Sequence, residues 1–186
     1  MIFKPKALSM AMVAICSAGS VVAGGSDIIL MPSEVLFEKG NYAEVSVVNV
    51  SPNVTGTTIA PTGSMYKDYS AKTFAFKVQA SPKVSIGFAD YLSGGIYLDY
   101  ANAGDTSGTG ITGANVDLSI KSRMLVAKYQ FDDFFSVFGG LKRSTVRPAT
   151  ANVLADPNGT LSIASASDNA MAFGMAFEKP EIALRV

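Results

Sequence analysis

Residues that could do chemistry are few in this chain of 186 residues. It has no His and a single Cys, Cys16. The absence of His excludes Ser-His and Cys-His nucleophilic catalysis and every His-ligated metal site. The aspartates are scattered without the spacing of a calcium-binding loop. They include Asp90, Asp99, Asp105 and Asp117. We therefore expect no enzymatic activity, no cofactor and no bound metal.

Three lysines remain as polar candidates, because each lies among small residues on one face of an alternating segment. They are Lys77, Lys128 and Lys142. A lysine that lines the interior of a membrane protein can attract the carboxylate head group of a ligand. The simpler interpretation is a solvated lumenal charge without a dedicated partner, and we expect this for each of the three.

The composition is unusually poor in charge. The chain is 48% hydrophobic and 16% charged, whereas a soluble domain is about 25% charged. The 15 Lys and Arg residues balance 15 Asp and Glu residues and form no basic stripe. A nucleic-acid partner is therefore not expected.

The N-terminus has the pattern of a cleaved secretory signal peptide over residues 1–23. Lys4 and Lys6 precede an uncharged, mostly apolar stretch, and Val21 and Ala23 supply small residues before a cleavage site. A transmembrane anchor is the alternative, but the stretch is short and diluted by Ser and Gly. The sequence therefore predicts export, and the exported chain has no cysteine.

Period-2 alternation of bulky apolar with small or polar residues dominates the rest of the chain and indicates β-strands. About seven strands are predicted, at 43–50, 73–79, 84–100, 125–131, 136–144, 170–178 and 182–186. The connections alternate in length. Short turns are predicted at 80–83, 132–133 and 179–181, and long polar loops at 51–70, 101–115 and 148–167.

Two architectures have short alternating strands, a soluble sandwich and a transmembrane barrel. The long–short rhythm of the connections is typical of up-and-down outer-membrane barrels. The small, weakly charged face opposite the bulky residues suits a lumen, and aromatic residues collect near strand ends, as in interfacial girdles. The predicted fold is therefore an all-β, antiparallel up-and-down transmembrane β-barrel, partial in this chain.

Three segments resemble the FadL-type family of outer-membrane transporters for long-chain fatty acids and other hydrophobic compounds. They are LFEKGNYAEVS at 36–46, YQFDDFFSVFGGLK at 129–142 and FEKPEIALRV at 177–186. Their order and spacing also fit, so the resemblance covers nearly all of the chain after the signal peptide. It implies passive uptake of hydrophobic molecules, no cofactor, and a place in the lipid of the bacterial outer membrane.

The resemblance also implies candidate site residues. Residues 24–40 would form a short hatch inside the barrel formed by 41–186, and a disordered periplasmic leader is the alternative. The apolar tip of the hatch, which would contact ligand, is Ile28, Ile29, Leu30 and Met31. Glycines in the third strand would mark a wall kink that lets ligand leave sideways, with ordinary packing as the alternative. They are Gly87, Gly94 and Gly95.

Family members are about twice as long and have fourteen strands. We therefore expect this chain to be the N-terminal half of a transporter, from a truncated gene or a partial record. A small eight-stranded barrel is the rival interpretation and would need one more strand. The alternative function is a structural or adhesive outer-membrane barrel whose long loops bind partners. The hydrophobic substrate and the oligomeric state stay open.

Overall fold

The computed structural model describes residues 32–57, 61–100, 113–152, 159–179 and 184–185, which form one 3-10 helix and nine strands. The 3-10 helix spans Ser33–Phe37 and is called the hatch turn below. The strands are β1 (Tyr42–Val50), β2 (Tyr69–Gln79), β3 (Val84–Asp99), β4 (Asn115–Gln130), β5 (Phe135–Val146), β6 (Ala149–Asn152), β7 (Thr160–Ile163), β8 (Ala166–Lys179) and β9 (Leu184–Arg185).

The strands form a single antiparallel meander in the order β1-β2-β3-β4-β5-β8-β9. This confirms the predicted all-β, up-and-down architecture. Within the described residues the sheet does not close on itself, and β1 and β9 are its outer strands. None of the described residues belongs to a helix long and apolar enough to cross a membrane.

The hairpin of β6 and β7 is an addition to the predicted strands and lies within the predicted loop at 148–167. β4 begins at Asn115, but its pairing with β5 extends only from Ile120 to Gln130. The first residues of β4 would therefore present unpaired backbone groups on that side. β6 covers part of this edge by pairing Asn152 with Asn115 and Ala151 with Val116.

Side chains that accept backbone hydrogen bonds define two of the short turns predicted from the sequence, those at 132–133 and 80–83. In the β4–β5 turn, Asp132 Oδ1 accepts hydrogen bonds from the backbone N–H groups of Phe134 (2.9 Å) and Phe135 (2.8 Å). In the β2–β3 turn, Ser81 Oγ accepts one from Val84 N at 3.1 Å. Both turns lie at one end of the sheet, and the long connections lie at the other.

The register places the bulky apolar side chains on one face, called the outer face. One row across five strands, called the apolar row, consists of Phe76, Phe88, Leu125, Leu141 and Met171. These residues do not share a buried centre: the exposed fraction is 61% for Leu141 and 81% for Met171, and on the same strand it is 84% for Phe173. The predicted grouping of bulky residues on one face is confirmed.

The opposite, inner face is lined mainly by small residues. Ala75, Ala89 and Ser136 are each less than 6% exposed. The alternation breaks once, because the β3–β4 register shifts between Leu92 and Gly94. A shift of one residue reverses the faces of all that follow, so the even-numbered residues of β3 after this bulge lie on the inner face.

Candidate functional site

The hatch turn lies against the inner face and contributes two buried aliphatic side chains there. Val35 is 6% exposed and Leu36 only 2%. Gly40, with a φ of 62°, lies in the short link between the hatch turn and β1, a conformation that glycine adopts at little cost. The wall residues that form one buried cluster with Val35 and Leu36 are Ala75, Ala89, Tyr91, Met124 and Val126.

Gly87 makes room for Leu36. A Cβ added at position 87 would lie 2.6 Å from Leu36 Cδ2, closer than two carbon atoms can approach. The β2–β3 and β3–β4 ladders are regular on both sides of Gly87. In this fold Gly87 is therefore a socket for the hatch turn.

The other two predicted kink glycines lie beside the irregularity in β3. Gly94 immediately follows the register shift and pairs with Ile120, and Gly95 pairs with Ser119. A bulge of this kind bends a strand locally. Sideways exit of a ligand at this point stays a prediction.

Lys77 is bound to the backbone that leaves the hatch turn. Its Nζ donates a hydrogen bond to the carbonyl oxygen of Glu38, and the residue is only 3% exposed. The expectation of a solvated charge is therefore wrong for Lys77. The physical reason is that the hatch turn excludes water from this part of the inner face, so the ammonium needs a protein acceptor.

Lys128 also faces the hatch turn. Its Nζ lies 4.6 Å from the centroid of the Phe37 ring and 3.9 Å from Glu178 Oε2. Phe37 in turn packs edge-to-face on Phe138 at a centroid distance of 6.1 Å. Lys128 is only 7% exposed, so the expectation of a solvated charge is wrong here too. The attraction between the ammonium group and the aromatic ring replaces part of the hydration that the buried cation loses.

Lys142 differs from the other two lysines. Its Nζ lies 6.0 Å from the centroid of the Tyr91 ring, at the outer limit of a cation–π contact. The residue is half-buried and makes no described contact with the hatch turn. The structure thus brings two of the three predicted lysines to the hatch.

On the inner face, a group of serine side chains lies next to the apolar cluster, on the side toward the long connections. Ser122 Oγ donates to Ser93 Oγ at 2.7 Å and lies 2.9 Å from Ser144 Oγ. Ser93 Oγ also donates to the carbonyl oxygen of Ile120 at 3.1 Å. The three hydroxyl groups are thus linked by hydrogen bonds across β3, β4 and β5.

Several predicted residues lie outside the described part of the chain. The proposed hatch tip, Ile28, Ile29, Leu30 and Met31, and the signal peptide at 1–23 are among them, so their roles stay predictions. The residues of the hatch turn that contact the inner face are Val35, Leu36 and Phe37, which the sequence prediction does not distinguish from the rest of 24–40. The signal that could have found them is the short apolar run between Glu34 and Glu38.

The inner face has features that are suited to binding. It combines an apolar turn, a wall of small residues and two buried cations, and no group of three or more metal-ligating side chains occurs among the described residues. The resemblance to FadL-type transporters stays a prediction, since no family model and no curated protein sequence matches this chain.

Proposed function

We propose that this chain forms the wall and hatch of an outer-membrane channel for passive uptake of long-chain fatty acids or similar hydrophobic compounds. The observation that carries the proposal is the two-faced sheet. Bulky apolar side chains are exposed on its outer face, while the chain's own hatch turn is seated on the small-residue inner face. A soluble sandwich would instead bury the bulky face.

The outer face fits a lipid solvent. Its apolar row runs without a charged residue from β2 to β8. Aromatic side chains cluster at the short-turn end, where Phe131 stacks on Phe135 at 5.5 Å and Phe134 on Phe177 at 6.2 Å. Aromatic girdles of this kind lie at membrane interfaces. In hydrocarbon the outer edges of β1 and β9 must be paired, either with each other or with another strand.

The inner face fits an amphipathic ligand. Leu36 occupies an apolar socket, and the ammonium groups of Lys77 and Lys128 lie beside it. If the hatch turn moves away, it leaves an apolar surface flanked by two cations. That surface matches an acyl chain with a carboxylate head, and release down a concentration gradient gives the direction of transport.

The test uses a reducible disulfide that holds the hatch turn against the inner face. The ideal Cβ position of residue 87 lies 3.6 Å from Leu36 Cγ, which is close to where a cysteine sulfur at position 36 would lie. The double variant Leu36→Cys/Gly87→Cys is therefore placed to form a disulfide in an exported chain that is otherwise free of cysteine. The full chain is produced in a bacterial host that lacks its own fatty-acid transporter, and uptake of labelled oleate is measured with and without reductant.

We expect oleate uptake by the unmodified chain, a loss of uptake in the oxidised double variant, and its recovery on reduction. The single variants Leu36→Cys and Gly87→Cys are the controls and should not respond to reductant. Uptake no higher than in the empty host would overturn the transport proposal. A folded membrane protein without uptake would instead favour the adhesive barrel.

A further inference from the structure

A cluster of basic side chains lies on the outer face, beside the apolar row on the side that faces the long connections. We call it the basic patch; it consists of Lys121, Arg123, Arg143 and Arg147. Together with Thr145 these residues line a shallow depression of about 250 Å³. Arg123, Arg143 and Arg147 are exposed and Lys121 is half-buried.

The charges of the basic patch are poorly balanced within the sheet. Arg123 and Arg143 are directly opposite each other in the β4–β5 register, an arrangement that is destabilising for like charges. Asp90 Oδ2 lies 2.9 Å from Arg123 Nε, and its Oδ1 lies 3.1 Å from Lys121 Nζ. Among the described residues, no carboxylate lies within 4.0 Å of Arg143 or Arg147. Two of the four cations of the patch are therefore left without a carboxylate partner among the described residues.

The basic patch continues directly into the apolar row. On β4 the next outward residue after Arg123 is Leu125, and on β5 the residue beside Arg143 on the same face is Leu141. A second depression, of about 280 Å³, is lined by both arginines, by both leucines and by Phe88. One continuous surface thus offers cations at one end and apolar contact at the other.

We propose that the basic patch binds the phosphate groups of an anionic lipid in the outer leaflet, with the lipid's acyl chains on the apolar row. This inference rests on the proposed membrane placement, in which the long connections face outward. Arginine is suited to the task because its planar guanidinium binds phosphate through paired hydrogen bonds. Phosphorylated glycolipid of the lipid A type supplies both the phosphates and the acyl chains.

The experiment compares three vesicle preparations in which the full chain is folded. They contain phosphatidylcholine alone, phosphatidylcholine with a minor fraction of diphosphoryl lipid A, or phosphatidylcholine with inorganic phosphate in the buffer. Flotation reports insertion, and native mass spectrometry of the extracted protein reports bound lipid. The test variant is Arg143→Gln/Arg147→Gln, which leaves Asp90 and its two partners in place. The control is Lys39→Gln/Lys83→Gln, which removes two exposed positive charges near the short-turn end of the sheet.

We expect lipid A adducts on the unmodified chain and on the control. In the test variant their affinity should fall by about tenfold to thirtyfold, because each basic residue near an anionic membrane surface contributes on the order of 1 kcal/mol. Equal lipid A binding by the test variant, or equal occupancy by inorganic phosphate, would overturn the inference. Should the double variant not insert, Arg147→Gln alone is compared. If the unmodified chain does not float even with phosphatidylcholine, the membrane placement itself fails, which is a separate outcome.

Discussion

The two faces of this sheet are built from the same strands, yet they are covered in opposite ways. On β2, Ala75 is 1% exposed, whereas its neighbour Phe74 is 44% exposed. The small side chain is buried because the hatch turn covers the inner face, and the large one is exposed because no described residue covers the outer face. The chain thus covers the inner face with its own hatch turn, whereas the outer face is left in contact with the environment of the protein.

This contrast separates two kinds of apolar burial. On the inner face, Leu36 fits a socket that a single methyl group at Gly87 would fill, so its contacts depend on shape. On the outer face, the side chains of the apolar row contact their neighbours along the sheet and otherwise project freely. In the proposed membrane placement they would be buried by lipid, which tolerates changes in shape but excludes charge.

The largest expected effect comes from truncating the same residue type on each face. Leu36→Ala should lower the free energy of unfolding by about 2–5 kcal/mol, because it empties a socket that the wall cannot collapse to fill. Leu141→Ala should lower it by about 1 kcal/mol or less, because detergent refills the space around an exposed side chain. Urea unfolding of both variants in the same mild detergent gives the two values. Equal losses would mean that the faces do not differ in this way.

A charged substitution on the outer face tests whether that face contacts lipid. Phe173→Arg should reduce the stability of the folded chain in phosphatidylcholine vesicles by about 2–4 kcal/mol, the cost of an arginine near the middle of a bilayer. Asn169→Arg lies on the same strand and face but level with Arg143, where the cost should be about 1 kcal/mol or less. The folded fraction across a urea series gives both values. The same penalty at both depths would contradict a membrane-facing apolar row.

The sequence predicts the outer face well because side-chain orientation in a strand has a period of exactly two residues. Phe74 and Met171 could be assigned to one face from alternation alone, and Asp132 marks the β4–β5 turn through local chemistry. Such features depend only on near neighbours in the chain, which is why they are readable without coordinates.

The docking of the hatch turn has no comparable signal in the sequence. Lys77 is 39 residues from its acceptor, Glu38, and no periodicity relates them. The bulge between Leu92 and Gly94 also reverses the alternation of β3, so pattern alone assigns the wrong face to Ile96. The site therefore depends on long-range packing, and the local sequence around its lysines predicts only solvated charges.

The smallest expected effect distinguishes two lysines of the same inner face. Lys128 lies over the Phe37 ring at 4.6 Å, whereas Lys142 is 6.0 Å from the Tyr91 ring and has no described contact with the hatch turn. Lys128→Met should weaken the docking of the hatch turn by about 0.5–2 kcal/mol, the range of a cation–π interaction. Lys142→Met should leave docking unchanged.

Limited proteolysis measures this difference, because Lys39, just after the hatch turn, is a trypsin site that becomes easier to cut when the turn detaches. For Lys128→Met we expect faster cleavage there, by up to about thirtyfold for the upper end of that range, while Lys142→Met should be cut at the rate of the unmodified chain. Equal acceleration in both variants would indicate that the lysines act through general charge in the interior. Acceleration confined to Lys128→Met would instead identify a specific interaction of Lys128 with Phe37 and Glu178, since both variants remove one positive charge from the same face and differ in what that charge contacts.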